Sequence, residues 1–313
     1  MVLDLLSLNR GLSRNNRLHK REIEAIVEAR FTRMYEEYRD GHIRQLAGKR
    51  GIWAPGGSNP AIGSVFPAVD MAYAALQRSL ETKAGTTYEQ VAREVGALSY
   101  EVTDRVPTDA LSDQQQAGIM RVMAMLDEKW PVTGDPAELA DRKETRHPMD
   151  YSAIFERQFL AKDERIVDGQ FTAGDGTHHL VQIKASGKLN KAGSRAEKLE
   201  LLTVATGYLN HLQTTEYGEH RIDIHLCTAL DGDIRNVSPW VRQYWDDDEL
   251  MLGRQFWGFI TQLEDGAEVV LRTVHRVAQD VGRRALSEII SEAFPPTLDV
   301  SDDDDPEIDE IEI

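Results

Sequence analysis

Two strand patterns joined by a short glycine-containing loop constrain the fold of this chain more than any other feature. Residues 165–172 (RIVDGQFT) and 178–185 (HHLVQIKA) are rich in apolar and β-branched side chains, and the five residues between them include two glycines. A loop of this kind between two such patterns predicts a β-hairpin. A third strand pattern occupies 221–228, after a predicted helix that opens at a capping box formed by Ser194 and Glu197.

The first half of the chain has helical rather than strand periodicity. Apolar residues recur at spacings of three and four over 21–46, 67–80, 87–98 and 113–128. A glycine- and proline-rich break at 54–60 cannot continue a helix. The predicted fold class is therefore α+β, a mixed sheet flanked by helices with a largely helical N-terminal part. Two further helices are predicted at about 265–281 and 284–293.

Composition and charge limit the classes of protein to which the chain can belong. No apolar run reaches the roughly 18 residues of a membrane helix, and the acidic start does not fit a signal peptide. The single cysteine, Cys227, excludes an internal disulfide, so we expect a cytoplasmic protein without a membrane partner. The formal net charge is −17, with eight acidic residues between Asp302 and Glu312. This charge disfavours nucleic acid in general, although a DNA-processing enzyme can be basic only in its cleft.

One acid, one amide and one lysine of the predicted hairpin can converge on a single point. Gln182 and Lys184 are two residues apart on one strand and therefore share a face. A hairpin centred near Gly174 and Asp175 places Asp168 opposite Gln182, with Cβ atoms about 4.5–5.5 Å apart. Such a set can hold Mg²⁺ and act on a phosphodiester. The structural alternative is a surface hairpin with solvated charges.

The sequence around these residues resembles the core of PD-(D/E)xK nucleases. The similar segments are Arg165-Ile-Val-Asp-Gly and Val181-Gln-Ile-Lys-Ala-Ser-Gly-Lys, with a later counterpart in Gly253-Arg-Gln-Phe-Trp-Gly-Phe. Within that superfamily they resemble type II restriction endonucleases that read GGNCC-type interrupted palindromes. The resemblance implies a Mg²⁺-dependent, sequence-specific double-stranded DNA endonuclease. It implies Asp168 as the main metal ligand and Lys184 as the residue that orients or activates water.

Gln182 departs from the acid that this superfamily usually carries, and an amide oxygen binds Mg²⁺ more weakly than a carboxylate does. Either Asp168 holds the ion with backbone and phosphate oxygens, with Gln182 as a weaker ligand, or another acid substitutes. A helix that follows the lysine strand can return such an acid to the site. The candidate auxiliary acids are Glu156, Asp163, Glu164 and Glu200.

A local excess of basic residues follows the lysine strand. Within fifteen residues the only acid is Glu197, and such a reversal in an acidic protein predicts contact with phosphates. The predicted DNA-binding residues are Lys188, Lys191, Arg195 and Lys198. His179, which precedes the lysine strand, is predicted to be a surface residue beside the turn. His225 is predicted to be an ordinary surface or core histidine, because it has no zinc-ligand spacing with a cysteine.

The predicted organisation comprises a helical region at 1–150 that embraces DNA or mediates dimerisation, a nuclease core at 151–296 and a disordered acidic tail at 297–313. We expect a homodimer, because two-fold protein symmetry matches a palindromic site, and a restriction enzyme implies a cognate DNA methyltransferase. Two alternatives stay open: a structure-specific repair or recombination nuclease, and a catalytically dead DNA-binding module. Sharp fragments from unmethylated DNA with Mg²⁺ would favour the restriction enzyme over both.

Overall fold

The computed structural model describes residues 2–48, 68–128, 162–215, 220–230 and 232–293. Its helices are α1 (Val2–Gly48), α2 (Ala68–Gly96), α3 (Asp113–Glu128), α4 (Lys191–Thr215), α5 (Pro239–Tyr244), α6 (Arg254–Thr261), α7 (Gly266–Val277) and α8 (Arg283–Ala293). Its strands are β1 (Glu101–Asp109), β2 (Lys162–Thr172), β3 (Thr177–Lys184), β4 (Arg221–Thr228) and β5 (Leu250–Leu252).

The five strands form one mixed sheet in the order β1-β2-β3-β4-β5. The first three strands pair antiparallel, and β3, β4 and β5 pair parallel. Helix α4 connects β3 to its parallel neighbour β4, as a parallel connection requires. The α+β class, the hairpin at 162–184 and the strand at 221–228 are confirmed.

Each face of the sheet is covered by its own set of helices. On one face, helices α1, α2, α6 and α7 bury Val27, Phe31, Val91 and Trp257 against the sheet residue Phe171. On the other face, α3, α4 and α5 pack over a second core. Because β3 lies in the middle of the sheet, both of its faces are buried and its side chains divide between the two cores.

Helix α2 is continuous where the sequence predicts two helices. Gly85 lies inside it, with open space around the position of a Cβ atom. A glycine costs a helix interior about 1 kcal/mol relative to alanine. That cost is offset because Leu76 before it and Tyr88, Val91 and Val95 after it are all buried.

Strand β1 is absent from the sequence prediction. Among the strands that the structure describes, it lies at the edge of the sheet and pairs with β2 alone, a position in which a proline such as Pro107 is tolerated. The N-terminal region thus supplies a strand to the sheet and, through α1 and α2, part of its core. The predicted boundary at residue 150 lies outside the described residues.

The C-terminal helices lie close to their predicted positions, with a single π-helical turn, Ala278–Gly282, between α7 and α8. The predicted break at 54–60, the auxiliary candidate Glu156 and the tail at 297–313 lie outside the described residues. Cys227 is buried in β4. None of the helices described is long and apolar enough to cross a membrane.

Candidate active site

The hairpin ladder ends at the residue beside Asp168. The last pair is Gly169 with Val181, which is the register that the sequence predicts for Asp168 opposite Gln182. Strand β2 bulges here. Between the pairs Thr103–Gln170 and Arg105–Ile166, β1 advances by two residues and β2 by four. A bulge of this kind redirects a side chain and ends regular pairing.

The carboxylate of Asp168 takes the place of the missing backbone pair. Its Oδ2 accepts a hydrogen bond of 2.7 Å from the backbone N–H of Ile183. The guanidinium of Arg93, on α2, donates to the backbone carbonyl of Asp168 at 2.7 Å. The pKa of Asp168 is raised overall, because the effect of burial outweighs the Ile183 hydrogen bond and the Lys184 charge, which both lower it. These two hydrogen bonds therefore fix the position of Asp168. Its raised pKa shows that the positive charge around it does not fully offset its burial.

Lys184, at the end of β3, lies between two carboxylates. Its Nζ donates to Glu197 Oε1 at 2.8 Å and lies 3.9 Å from Asp168 Oδ2. Burial lowers the pKa of Lys184, but the hydrogen bond to Glu197 and the charge of Asp168 outweigh it, so the pKa is raised overall. The side chains of Lys184, Asp168 and Glu197 are 26%, 20% and 19% exposed. The site is thus largely buried but open to solvent.

A third carboxylate approaches from the opposite layer of helices. Glu89 lies on α2 and is half-buried. Burial raises its pKa, and the negative charge of Asp168 raises it further. Glu89 thus shares the electrostatic field of Asp168, Lys184 and Glu197. The carboxylates come from α2, β2 and α4, so the tertiary fold assembles the site.

Gln182 contributes a buried amide to the same face of β3 as Lys184. Its side-chain oxygen is buried and has no hydrogen-bond partner in the part of the chain that the structure describes. Glu197 Oε2 is likewise buried and has no hydrogen-bond partner among the described residues. Buried acceptors without a donor are costly, and a bound cation or water satisfies them. Both oxygens are therefore available to a ligand.

The acid that contacts Lys184 is Glu197, which is not one of the predicted auxiliary acids. Glu200 is exposed, one helical turn further along α4. Asp163 and Glu164 are opposite Thr108 and Pro107, near the far end of β2. At about 3.3 Å per residue, those two positions are some 13–17 Å of strand from Asp168.

The predicted capping box at Ser194 is wrong. Helix α4 begins three residues earlier, and Asn190 caps it by accepting a 2.7 Å hydrogen bond from Gly193 N–H. Ser194 is buried within the helix, where its hydroxyl donates to the carbonyl of Trp240 at 3.1 Å. Glu197 is therefore free of the cap and contacts Lys184.

The predicted DNA-binding cluster is divided by the fold. Lys188 and Lys191 are exposed, but Arg195 is paired with Asp127 at 3.0 Å. Lys198 as a DNA-binding residue is wrong, because its side chain is 0% exposed and donates to Glu249 at 2.5 Å. Its ammonium also lies 4.7 Å from the centre of the Trp245 ring. A lysine held in this way belongs to the core and cannot reach a phosphate.

Sequence reasoning missed Glu89 and Arg93 altogether and counted Glu197 only as an exception in a basic segment. The helical periodicity of α2 shows that Glu89 and Arg93 are four residues apart on one face. Nothing in the sequence shows that this face meets β2. Comparisons with protein-family models, curated proteins and solved structures gave no match.

Proposed function

We propose that the chain is a Mg²⁺-dependent DNA endonuclease with a PD-(D/E)xK-type site. The observation that carries the proposal is the position of the Lys184 ammonium between the carboxylates of Asp168 and Glu197, with the charge of Glu89 acting on the same group. The sequence resemblance independently assigns a metal to Asp168 and a catalytic role to Lys184.

The charge balance of the site favours a divalent cation. Glu89, Asp168 and Glu197 bring three carboxylates, against the ammonium of Lys184 and the guanidinium of Arg93. The pKa values of Glu89 and Asp168 are both raised, chiefly by burial and, for each, also by another carboxylate of the site. Negative charge is thus under-compensated in the protein alone, and this is the electrostatic condition that binds a cation.

The available donor atoms fit a hard cation. Carboxylate oxygens of Asp168 and Glu197 would hold Mg²⁺, with the amide oxygen of Gln182 beside them, since Mg²⁺ prefers oxygen ligands. When bound, Mg²⁺ polarises a phosphate and lowers the pKa of a coordinated water. Glu197 thereby supplies the acid that Gln182 does not.

The protein groups around these donors serve orientation and charge stabilisation. The Ile183 N–H and the Arg93 contact hold Asp168 rigidly. An ammonium has three N–H donors, and Glu197 takes one of the three on Lys184. Another can donate to a phosphate oxygen as negative charge develops there, which is how such a cation accelerates phosphodiester cleavage.

The exposed residues Lys188 and Lys191 follow β3 directly and would provide the nearest contacts to the DNA backbone. Sequence specificity, a homodimer and a partner methyltransferase stay predictions from the resemblance.

A matched pair of variants on α4 tests the proposal. Purified protein is incubated with unmethylated phage DNA and Mg²⁺, and the fragments and their ends are sequenced. Glu197→Gln should reduce cleavage by at least about 100-fold, a loss that supporting residues of metal sites already reach. Glu200→Gln, one turn away and exposed, should cleave like the wild type.

Asp168→Asn should also be inactive, and it controls for a contaminating nuclease. Wild-type rates in Asp168→Asn or Glu197→Gln would refute the site. Absence of wild-type cleavage on duplex, branched and single-stranded DNA with Mg²⁺ or Mn²⁺ would refute the function. Cleavage confined to branched DNA would favour the repair-nuclease alternative.

A further inference from the structure

A second cluster of metal-ligating side chains lies on the other face of the sheet. His179 of β3 and Asp223 of β4 are register partners, and His225 follows two residues later on β4. Because side chains alternate along a strand, His179 shares its face with Val181 and Ile183, whereas Gln182 and Lys184 share the other. His179 is five residues from Lys184, about 16 Å of strand. The cluster is therefore separate from the candidate active site.

We propose that His179, Asp223 and His225 form a site for a borderline transition-metal ion of the Zn²⁺ class. One ligand atom of each residue lies within 4.8 Å of the other two. His179 Nδ1 is 3.3 Å from His225 Nε2 and 3.8 Å from Asp223 Oδ2. A tetrahedral ion with bonds of about 2.0–2.1 Å holds its ligand atoms about 3.3–3.4 Å apart, so two of these distances need little adjustment.

A hydrogen-bond network explains the arrangement less well than a metal does. The same atom, His179 Nδ1, faces both the His225 nitrogen and the Asp223 oxygen. A ring nitrogen carries at most one hydrogen and can make one good hydrogen bond with it. A cation at the centre would accept a lone pair from all three groups at once.

The surroundings restrain the three side chains. Asp223 Oδ1 accepts a 3.1 Å hydrogen bond from Arg221, which leaves Oδ2 directed towards His179. Phe259 of α6 contacts the His179 ring edge-on, with ring centres 5.0 Å apart, and covers one side of the cluster. Asp223 is a quarter exposed, so solvent can supply both the ion and a fourth ligand.

The donor set distinguishes this cluster from the first site. Two imidazole nitrogens and one carboxylate select Zn²⁺, Co²⁺ or Ni²⁺ over Mg²⁺, which prefers oxygen alone. Three protein ligands with a fourth position open to water or substrate are the arrangement of catalytic rather than structural zinc sites. The bound ion would join β3 to β4 beneath α6 and stabilise that end of the sheet.

The test uses Co²⁺ as a spectroscopic probe and Zn²⁺ as its competitor. The full chain is stripped with a chelator, dialysed and titrated with Co²⁺, and the visible absorption of four-coordinate Co²⁺ is recorded. We expect one four-coordinate Co²⁺ per chain, displaced by Zn²⁺ and not by Mg²⁺. His179→Gln and Asp223→Asn should each weaken binding by more than about 100-fold, beyond the loss typical of supporting residues.

Two control variants make the outcomes decisive. His275→Gln, which replaces an exposed histidine on α7, should bind Co²⁺ normally. Glu197→Gln alters only the first site and should also bind normally, so failure of the nuclease proposal does not affect this result. Full Co²⁺ binding by folded His179→Gln and Asp223→Asn would overturn the proposal. Loss of binding in Glu197→Gln, or no four-coordinate spectrum in the wild type, would do so equally.

Discussion

Replacing Lys184 with methionine separates a metal site from an ordinary ion pair. The substitution keeps most of the side-chain volume and removes the ammonium that lies between Glu197 and Asp168. A hydrogen bond to a charged group contributes about 1.5–3 kcal/mol. Because these side chains are a fifth to a quarter exposed, solvent screening reduces the expected loss to about 1–2 kcal/mol.

A divalent cation should reverse that loss. Without the ammonium, the carboxylates of Glu89, Asp168 and Glu197 repel one another more strongly, and the site has room for positive charge. An ion that binds only the folded state stabilises it by about 2.7 kcal/mol at one hundred times its dissociation constant. Lys184→Met should therefore be less stable than the wild type in chelator and approach it in millimolar Mg²⁺ or Ca²⁺.

Urea unfolding followed by circular dichroism, with chelator and with each ion, measures the effect without any DNA. Lys188→Met is the matched control, because Lys188 is exposed and four residues further along. It should lose little stability and gain little from either ion. If Lys184→Met is destabilised but Mg²⁺ and Ca²⁺ restore nothing, the carboxylates form a structural ion pair and the metal assignment is wrong. Equal recovery of both variants would indicate a non-specific salt effect.

Two further substitutions test Gln182, beside this site, and the buried Lys198–Glu249 pair. Gln182→Glu should lower stability in chelator, because it adds a carboxylate to a site short of positive charge, and should raise Mg²⁺ affinity in a calorimetric titration; a folded variant with unchanged affinity would show that residue 182 is not a ligand. Lys198→Met should cost about 3–5 kcal/mol in urea unfolding, because it removes the ammonium that compensates the largely buried carboxylate of Glu249. Adding Glu249→Gln should recover part of that loss, and recovery of nothing would mean that the pair does not account for the cost.

The sequence predicts those parts of the fold whose local pattern of apolar residues matches their burial. Strands β3 and β4 lie inside the sheet, and adjacent buried apolar residues, Leu180 with Val181 and Leu226 with Cys227, mark them as strands in any context. Strand β1 contains charged residues and Pro107, and it forms because β2 offers it an edge. Tertiary pairing determines that strand, and no local pattern reveals it.

In the candidate site, too, some residues can be placed from the sequence and others only from the tertiary structure. Asp168, Gln182 and Lys184 can be related by strand alternation alone, because one hairpin contains all three. Glu197 cannot be chosen over Glu200 from spacing, since residues three apart lie on one face of a helix. The choice depends on where α4 begins, and the cap at Asn190 is only one of several that the sequence allows.

Lys198 illustrates the limit of charge patterning. The charged residues that precede it, from Lys184 onward, are mostly basic, which indicates a solvated surface. In the fold its partner is Glu249, fifty-one residues later, and the aromatic ring of Trp245 covers the pair. A charge can be buried when a distant residue compensates it, and such compensation is visible only in three dimensions.

The neutral residue at position 182 follows from the acid at position 197. With Glu89, Asp168 and Glu197 already around Lys184, a fourth carboxylate would face strong repulsion in a largely buried site. An amide would keep an oxygen donor for the proposed ion at that position on the strand without adding charge. In the proposed metal site, a carboxylate on α4 and an amide on β3 would together take the place of the usual strand acid. Gln182 therefore does not by itself indicate a dead enzyme, because the carboxylate count of the site is maintained from another element.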